Sequence, residues 1–304
     1  MKRNSIGAYI FLVIILIFGI IFYLNDTKSK TNDIKIDNNL KEELQVYFID
    51  VGEADCILIR IKDDYALIDA GNNLDGNKLV TYFKSLGITK FSAIFGTHGH
   101  EDHIGGMDNI IREFDVERFY MPKTVIPTTT YETVVKELKK KDISYKVPSV
   151  NNKINVGDGT FTVLSIKDDI DDLNNASIVL KFDYKNVSFL FMADVEKTIE
   201  YELLDKNVDV SADVIKIGHH GSVYGSINKF LKKVNAKYAV ISVGADNEYY
   251  HPHEKALNRI KNNNMTLYRT DLDGTIIFSS DGESLKIDKV KTDTNLEEKK
   301  WNIQ

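Results

Sequence analysis

The sequence predicts an α/β (α+β) domain of two mixed β-sheets packed face to face with helices outside. This is a four-layer αβ/βα sandwich, preceded by one transmembrane helix. Three observations predict it. Short apolar runs that read as strands alternate with segments of helical spacing in both halves of the chain. Neither half closes a core alone, so two sheets must share one. No repeat of roughly 20 to 50 residues divides the chain, which argues against a solenoid or propeller.

The whole-chain properties bound the rest. At 304 residues and 43% hydrophobic, the chain can form one large domain or two small ones. A formal net charge of -6 leaves no overall attraction to nucleic acid or anionic lipid. The single cysteine, Cys56, excludes an internal disulfide and a cysteine-based zinc knuckle. Any metal must therefore be held by His, Asp and Glu.

Residues 1–25 read as a membrane anchor. Positions 6–24 carry no charge, follow Lys2 and Arg3, and match the thickness of a bilayer core. Tyr23-Leu24-Asn25-Asp26 offers no small-residue cleavage site, which favours an anchor over a cleaved signal. Lys28, Lys30 and Lys35 nearly balance the charges on the other flank. A long domain behind such an anchor is usually translocated, so the expected location is single-pass in the cell membrane with the domain extracellular. Residues 26–43 form a polar linker, 44–288 the folded domain, and 289–304 a charged tail containing the lone Trp301.

Within the domain, residues 44–51 form a first strand, and 56–61 and 65–69 a strand pair joined by a turn at 62–64. Residues 77–86 are helical with Asn77 as N-cap, 91–96 a buried strand, 108–114 a helix, 116–121 a strand and 131–141 a helix with a solvated lysine face. A strand lies around 161–164, and a hairpin pairs 177–184 with 187–192 through Lys185-Asn186. Helix and strand then alternate at 195–204, 214–217, 226–234, 238–243 and 253–263. A last hairpin spans 266–287.

The strand at 91–96 delivers the most concentrated chemistry, Thr97-His98-Gly99-His100-Glu101-Asp102-His103-Ile104-Gly105-Gly106. In extended backbone, residues i and i+2 share a face, so His98 and His100 can clamp one ion. Asp102 and His103 follow after a bend and can face a second ion, and Gly105-Gly106 lets the chain turn tightly. A lone histidine is usually a solvated loop residue, but three of 7 histidines beside an aspartate form a ligand set.

Other strand ends add candidates. Asp194 follows the strand ending at Ala193; it reads either as a helix N-cap or as a carboxylate between two cations. The pair His219-His220 ends the strand through Lys216, and one of the two can be a ligand. His251 sits at a loop apex before Pro252 and is the better ligand; His253 falls on the first helical turn. Asp50 and Asp69 end apolar strands and suit the task of orienting a histidine. Asn175 is either turn chemistry or a substrate contact.

These residues resemble the metallo-β-lactamase superfamily through its His-x-His-x-Asp-His signature. Within it, the chain is most similar to the hydrolase domain at the C-terminal end of the competence protein ComEC. Phe48-Ile49-Asp50-Val51-Gly52-Glu53-Ala54-Asp55, Leu67-Ile68-Asp69-Ala70-Gly71, the segment 215–222 and the segment 268–274 carry the narrower likeness. The resemblance implies two divalent cations, zinc or alternatively manganese. His98 and His100 would hold one, Asp102, His103 and His251 the other, and Asp194 would lie between them. The superfamily's usual third histidine of the first site is missing, since Asn174 and Asn175 stand there; His219 or His220 is the expected replacement. The family's Gly-Gln-Gly-Asp reads Gly52-Glu53-Ala54-Asp55, and its glycine before the bridging aspartate is Ala193.

The activity so implied is phosphodiester hydrolysis by a metal-bridged hydroxide, with DNA a candidate substrate. Asp102 would orient the water, with His220 as its catalytic partner, and Lys216, His220 and Ser222 would hold the substrate's charged group. A phosphocholine-esterase-like surface hydrolase and a non-catalytic tethered metal-binding module are the alternatives. A β-lactamase activity is the weakest match.

Overall fold

The computed structural model describes residues 43–124, 126–167 and 172–291. The expected anchor and most of the linker and tail lie outside them. Among the described residues no helix is long and apolar enough to cross a membrane.

The strands run β1 Leu44–Phe48, β2 Ile57–Ile61, β3 Asp64–Ile68, β4 Lys90–Phe91, β5 Ala93–Phe95, β6 Asp115–Val116, β7 Phe119–Tyr120 and β8 Tyr145–Lys146. The second series is β9 Lys153–Val156, β10 Gly159–Ser165, β11 Val179–Tyr184, β12 Val187–Phe191, β13 Val214–Lys216, β14 Tyr238–Ile241, β15 Thr266–Arg269, β16 Thr275–Ser280 and β17 Leu285–Val290. One sheet has the order β17-β16-β1-β2-β3-β5-β7-β8 and the other β15-β14-β13-β12-β11-β10-β9; β4 and β6 form a small separate pair.

Alternation along the strands explains why the sheets stack. Phe189 and Phe191 of β12 join Phe48 of β1 and Phe278 of β16 in one core between the sheets. Leu190 and Met192, on the opposite face, pack instead with Ile199, Leu203, Phe230 and Ile260 from helices outside the second sheet. Over the first sheet, Phe83 of helix Gly76–Ser85 and Phe114 after helix Met107–Glu113 cross Phe91 edge-on. The layers are thus helices, sheet, sheet, helices.

Three local expectations need correction. Asn77 lies inside its helix, which begins at Gly76, and its side chain accepts from Asn109 at 2.8 Å. Residues 266–287 are not one hairpin: β15 runs parallel to β14 in the second sheet, and only β16 and β17 pair antiparallel in the first. A single-turn helix at Thr270–Asp273 carries the chain between sheets. Gly105 and Gly106 keep right-handed, helix-like backbone angles. They are needed for close approach, because a Cβ on Gly105 would stand 2.2 Å from Asn73 N and one on Gly106 2.4 Å from Ala70 O.

Strand direction positions the chemistry. β3, β5 and β7 are parallel, and so are β12, β13, β14 and β15. Asp69, the His98–His103 loop, Asp194, His219-His220 and the loop to His251 all follow the C-terminal ends of these strands, where ligands bind in open α/β sheets.

Candidate metal centre

The chain leaves β5 through a bend at His98-Gly99, His100 is extended, and Asp102 and His103 lie on the short helix Glu101–Ile104. Gly99 between the two histidines packs against Ile126, where a Cβ would come within 2.2 Å of the isoleucine Cδ1. His98 Nε2 lies 3.0 Å from His100 Nδ1 and 3.9 Å from Asp194 Oδ2.

The tighter grouping is Asp102, His103, Asp194 and His220, whose ligand atoms all lie within 4.8 Å of one another. His103 Nε2 is 3.3 Å from Asp194 Oδ2 and 3.5 Å from Asp102 Oδ2. His220 Nε2 is 3.2 Å from Asp102 Oδ2 and 3.7 Å from Asp194 Oδ1. The backs of both imidazoles are anchored: His103 Nδ1 donates to Asp69 at 2.7 Å, and His220 Nδ1 to the Ser242 carbonyl at 2.9 Å. Asp69 also accepts from the Thr97 amide and hydroxyl. With Nδ1 as donor, each neutral ring turns a lone pair on Nε2 into the cluster.

A divalent cation fits this donor set. His103 Nε2 and Asp194 Oδ1 are buried and have no hydrogen-bond partner, a costly arrangement unless a cation completes them. The charge balance agrees. Burial alone would depress both imidazoles, but Asp194, Asp102 and Asp69 outweigh it and hold His103 well above the usual histidine range. For His220, burial is likewise outweighed by Asp194 and Asp102, which push it up to about 9. Burial opposes ionisation of Asp194 too, yet His103 and His220 hold it well below the carboxylate range. The carboxylates therefore demand positive charge at this point. His98 differs: burial and the neighbouring His103 hold it well below the usual range.

Four residues in the segments that follow strands here adopt left-handed backbone: Asp69 at φ +58°, Ala193 at +47°, His219 at +47° and His220 at +49°. Such strain persists only where surrounding structure enforces it.

Several sequence-based expectations change. His251 does not join the four-residue grouping; its Nδ1 is 2.8 Å from Glu53 Oε1, and His220 stands where His251 was expected. His219 sits at the rim, with Nδ1 3.2 Å from Glu196 and Nε2 4.0 Å from Asp194. Lys216 cannot hold substrate, because it is fully buried with Nζ 2.5 Å from Asp55 Oδ2. Ser222 is also buried, and its hydroxyl accepts from the Tyr224 amide. Asn175 braces the loop, donating to Asp172 and accepting from the Glu196 amide. Asp50 accepts from the Gly52 amide and so supports its own loop. Asp194 is not a side-chain cap, since helix Lys197–Asp205 starts three residues later with Glu196 in the capping position.

Sequence reasoning also missed two pairings, Asp55 with Lys216 and Glu53 with His251. Asp55 lies under the cluster, 3.8 Å from His103 Nδ1 and 3.7 Å from His220 Nδ1. The available signal was an acidic residue at each of positions 53 and 55, but its partners lie more than a hundred residues away.

The chain belongs to the metallo-beta-lactamase superfamily, whose family model matches residues 49–245. Among characterised relatives it is similar to ComE operon protein 3 of Bacillus subtilis, at 29% identity over 258 residues, covering 79% of this chain and 33% of the relative. It is also similar to competence protein ComA of Neisseria gonorrhoeae, at 26% identity over 253 residues, covering 83% of this chain and 34% of that protein. The chain thus spans about a third of the length of these relatives. Among solved structures, the metallo-beta-lactamase fold protein YhfI of Bacillus subtilis superposes with a TM-score of 0.53 at 11% identity, covering 78% of this chain and 100% of that one. This last likeness supports the fold alone.

Proposed function

We propose that this chain is a binuclear metal-dependent hydrolase that cleaves phosphodiester bonds and is tethered to the cell membrane by its N-terminal segment, with the domain outside. The observation that carries the reading is the buried group of Asp102, His103, Asp194 and His220, with two of its ligand atoms lacking any hydrogen-bond partner. These four residues would hold one cation; His98 and His100, with Asp194 shared, would hold the second. Zinc or manganese suits nitrogen and carboxylate donors alike. Such cations lower the pKa of water and stabilise charge on a phosphoryl oxygen.

The residues of the chain set the geometry for that chemistry. Asp69 and the Ser242 carbonyl fix the two imidazoles whose Nε2 atoms point inward. Asp102, about a third exposed where its partners are buried, is the group of the cluster open to water and suited to orient it. Lys216 neutralises Asp55 beneath the cluster, so the floor of the site is polar without carrying excess negative charge.

A second reading of the substrate rests on the mouth. Tyr249 is 58% exposed and stacks on His251 at 5.7 Å. Burial, followed by the charges of Glu248, Asp102, Glu53 and Glu101, raises its hydroxyl pKa. A carboxylate-lined mouth disfavours a polyanionic strand, which needs Lys and Arg along its path. It favours a small phosphodiester carrying an ammonium group, as phosphocholine does.

The test is turnover by the full-length chain in detergent, loaded with zinc or manganese, on bis(p-nitrophenyl) phosphate, linear DNA, p-nitrophenyl phosphorylcholine and nitrocefin. Cleavage of a phosphodiester, lost in Asp102→Ala, supports the reading. Cleavage of nitrocefin alone, or bound metal with no turnover on any substrate, overturns it; the latter outcome favours a tethered binding module. Resistance of the domain to protease added outside intact cells would overturn the proposed orientation.

A further inference from the structure

His251 has no place among the four clustered ligands, yet its position is more tightly fixed than a rim residue requires. Asn247 pins its backbone from both sides, accepting from the His251 amide at 2.9 Å and donating to its carbonyl at 2.7 Å. Tyr249 stacks on its ring, and the ring centres of His219 and His220 lie 5.5 and 6.1 Å away. Its Nδ1 meets Glu53 Oε1 at 2.8 Å, while Glu53 Oε2 accepts from the Gly244 amide at 2.8 Å. The two loops touch so closely that a Cβ on Gly244 would lie 2.6 Å from Glu53 N.

This arrangement dictates the polarity of the ring. An ionised carboxylate can only accept, so the proton of the neutral imidazole sits on Nδ1 and a lone pair is left on Nε2. No hydrogen bond engages that Nε2 among the described residues, nor is it one of their buried, unpartnered atoms. We propose that Glu53 sets His251 as a hydrogen-bond acceptor at the mouth of the metal centre, where Nε2 receives the O–H of the attacking water or of a substrate hydroxyl. Glu53 is then a positioning residue acting through His251, and the inference rests on the hydrolase reading above.

The residue that the superfamily pattern carries at position 53 supplies the test. In Glu53→Gln, the Gly244 amide still demands an acceptor, so the new side chain turns its carbonyl there and its NH₂ towards His251. Nδ1 must then accept, the proton moves to Nε2, and both hydrogen bonds survive with their polarity at the mouth reversed. Full-length wild type and Glu53→Gln are compared by nitrogen-15 NMR of labelled histidines, by metal content, by melting temperature and by kinetics on bis(p-nitrophenyl) phosphate and a hydroxyl-bearing ribodinucleotide.

The expected result is a switch of the His251 tautomer with metal content and melting temperature unchanged, and a fall in kcat of about tenfold or more, the worth of one hydrogen bond in the transition state. A fall on both substrates assigns the O–H to water, and a fall on the ribodinucleotide alone assigns it to substrate. An unchanged tautomer, unchanged kcat, or loss of a bound metal in His251→Gln overturns the proposal. If wild type cleaves neither of these diesters, nor linear DNA, nor p-nitrophenyl phosphorylcholine, the hydrolase reading itself fails; if it cleaves one, activity that Glu53→Gln leaves intact defeats only the role of His251.

Discussion

The grouping of Asp102, His103, Asp194 and His220 and the pair of His98 and His100 share one edge of the fold, but the surrounding chain holds them unequally. In the first, each imidazole is tied from behind, to Asp69 and to the Ser242 carbonyl, and left-handed backbone at Ala193 and His220 presents the remaining groups. In the second, His98 Nε2 and His100 Nδ1 lie 3.0 Å apart with the rings edge to face, and Asp194 is 3.9 Å from His98. Asn174 stands on that side, 3.5 Å from both ring nitrogens of His219. The difference teaches that a ligand's strength as a site-former is decided behind it. A histidine whose second nitrogen has a fixed acceptor is already aimed.

The comparison can be broken by removing its parts. The largest effect is expected for His220→Ala, which should cost metal affinity by more than the about 10–100-fold that losing an outer partner costs; calorimetric titration with manganese checks it. Asp69→Asn follows, with a loss of about 10–100-fold in affinity at the clustered site and little change at the His98–His100 site.

Lys216→Met should destabilise the fold by about 3–5 kcal/mol by leaving Asp55 buried and unpaired. Adding Asp55→Asn should recover most of that, as read by urea unfolding. Full destabilisation in the double variant would show that Lys216 acts through packing and not charge.

Proton linkage sharpens the contrast further. His103 and His220 hold protons above the usual histidine range, the latter up to about 9, and a cation must displace them. Affinity at the clustered site should therefore rise with pH towards about 9, with proton release visible as a buffer-dependent binding enthalpy. His98 is held well below that range, so the second site should show a weaker dependence near neutral pH. The smallest effect belongs to Ala193→Gly, which relieves a left-handed alanine and should change stability by less than about 1 kcal/mol.

Much of the fold was legible in the sequence because strand alternation and helical spacing are local patterns. The crossing at Thr270–Asp273 was not, since a strand that ends one sheet and a strand that enters the other look like the arms of a hairpin. At the site, the crowding of His98, His100, Asp102 and His103 was readable because four ligands fall within six residues. The choice between His220 and His251 was not. It depends on the left-handed turn at His219-His220, which swings the second ring inward, and on Glu53, which claims the back of His251 from across the molecule. Lys216 misled for a related reason: a lysine near histidines and glycines reads as a substrate contact until its buried partner Asp55 is seen.

The unequal build of the two groups is tested most directly by counting and ranking bound cations in the full-length chain, by elemental analysis and calorimetric titration of wild type, His98→Ala and His220→Ala. The account predicts two cations in wild type, one tighter than the other. His98→Ala should lose only the weaker and His220→Ala the tighter. Two equivalent sites in wild type, or a tight site that survives His220→Ala, would contradict it.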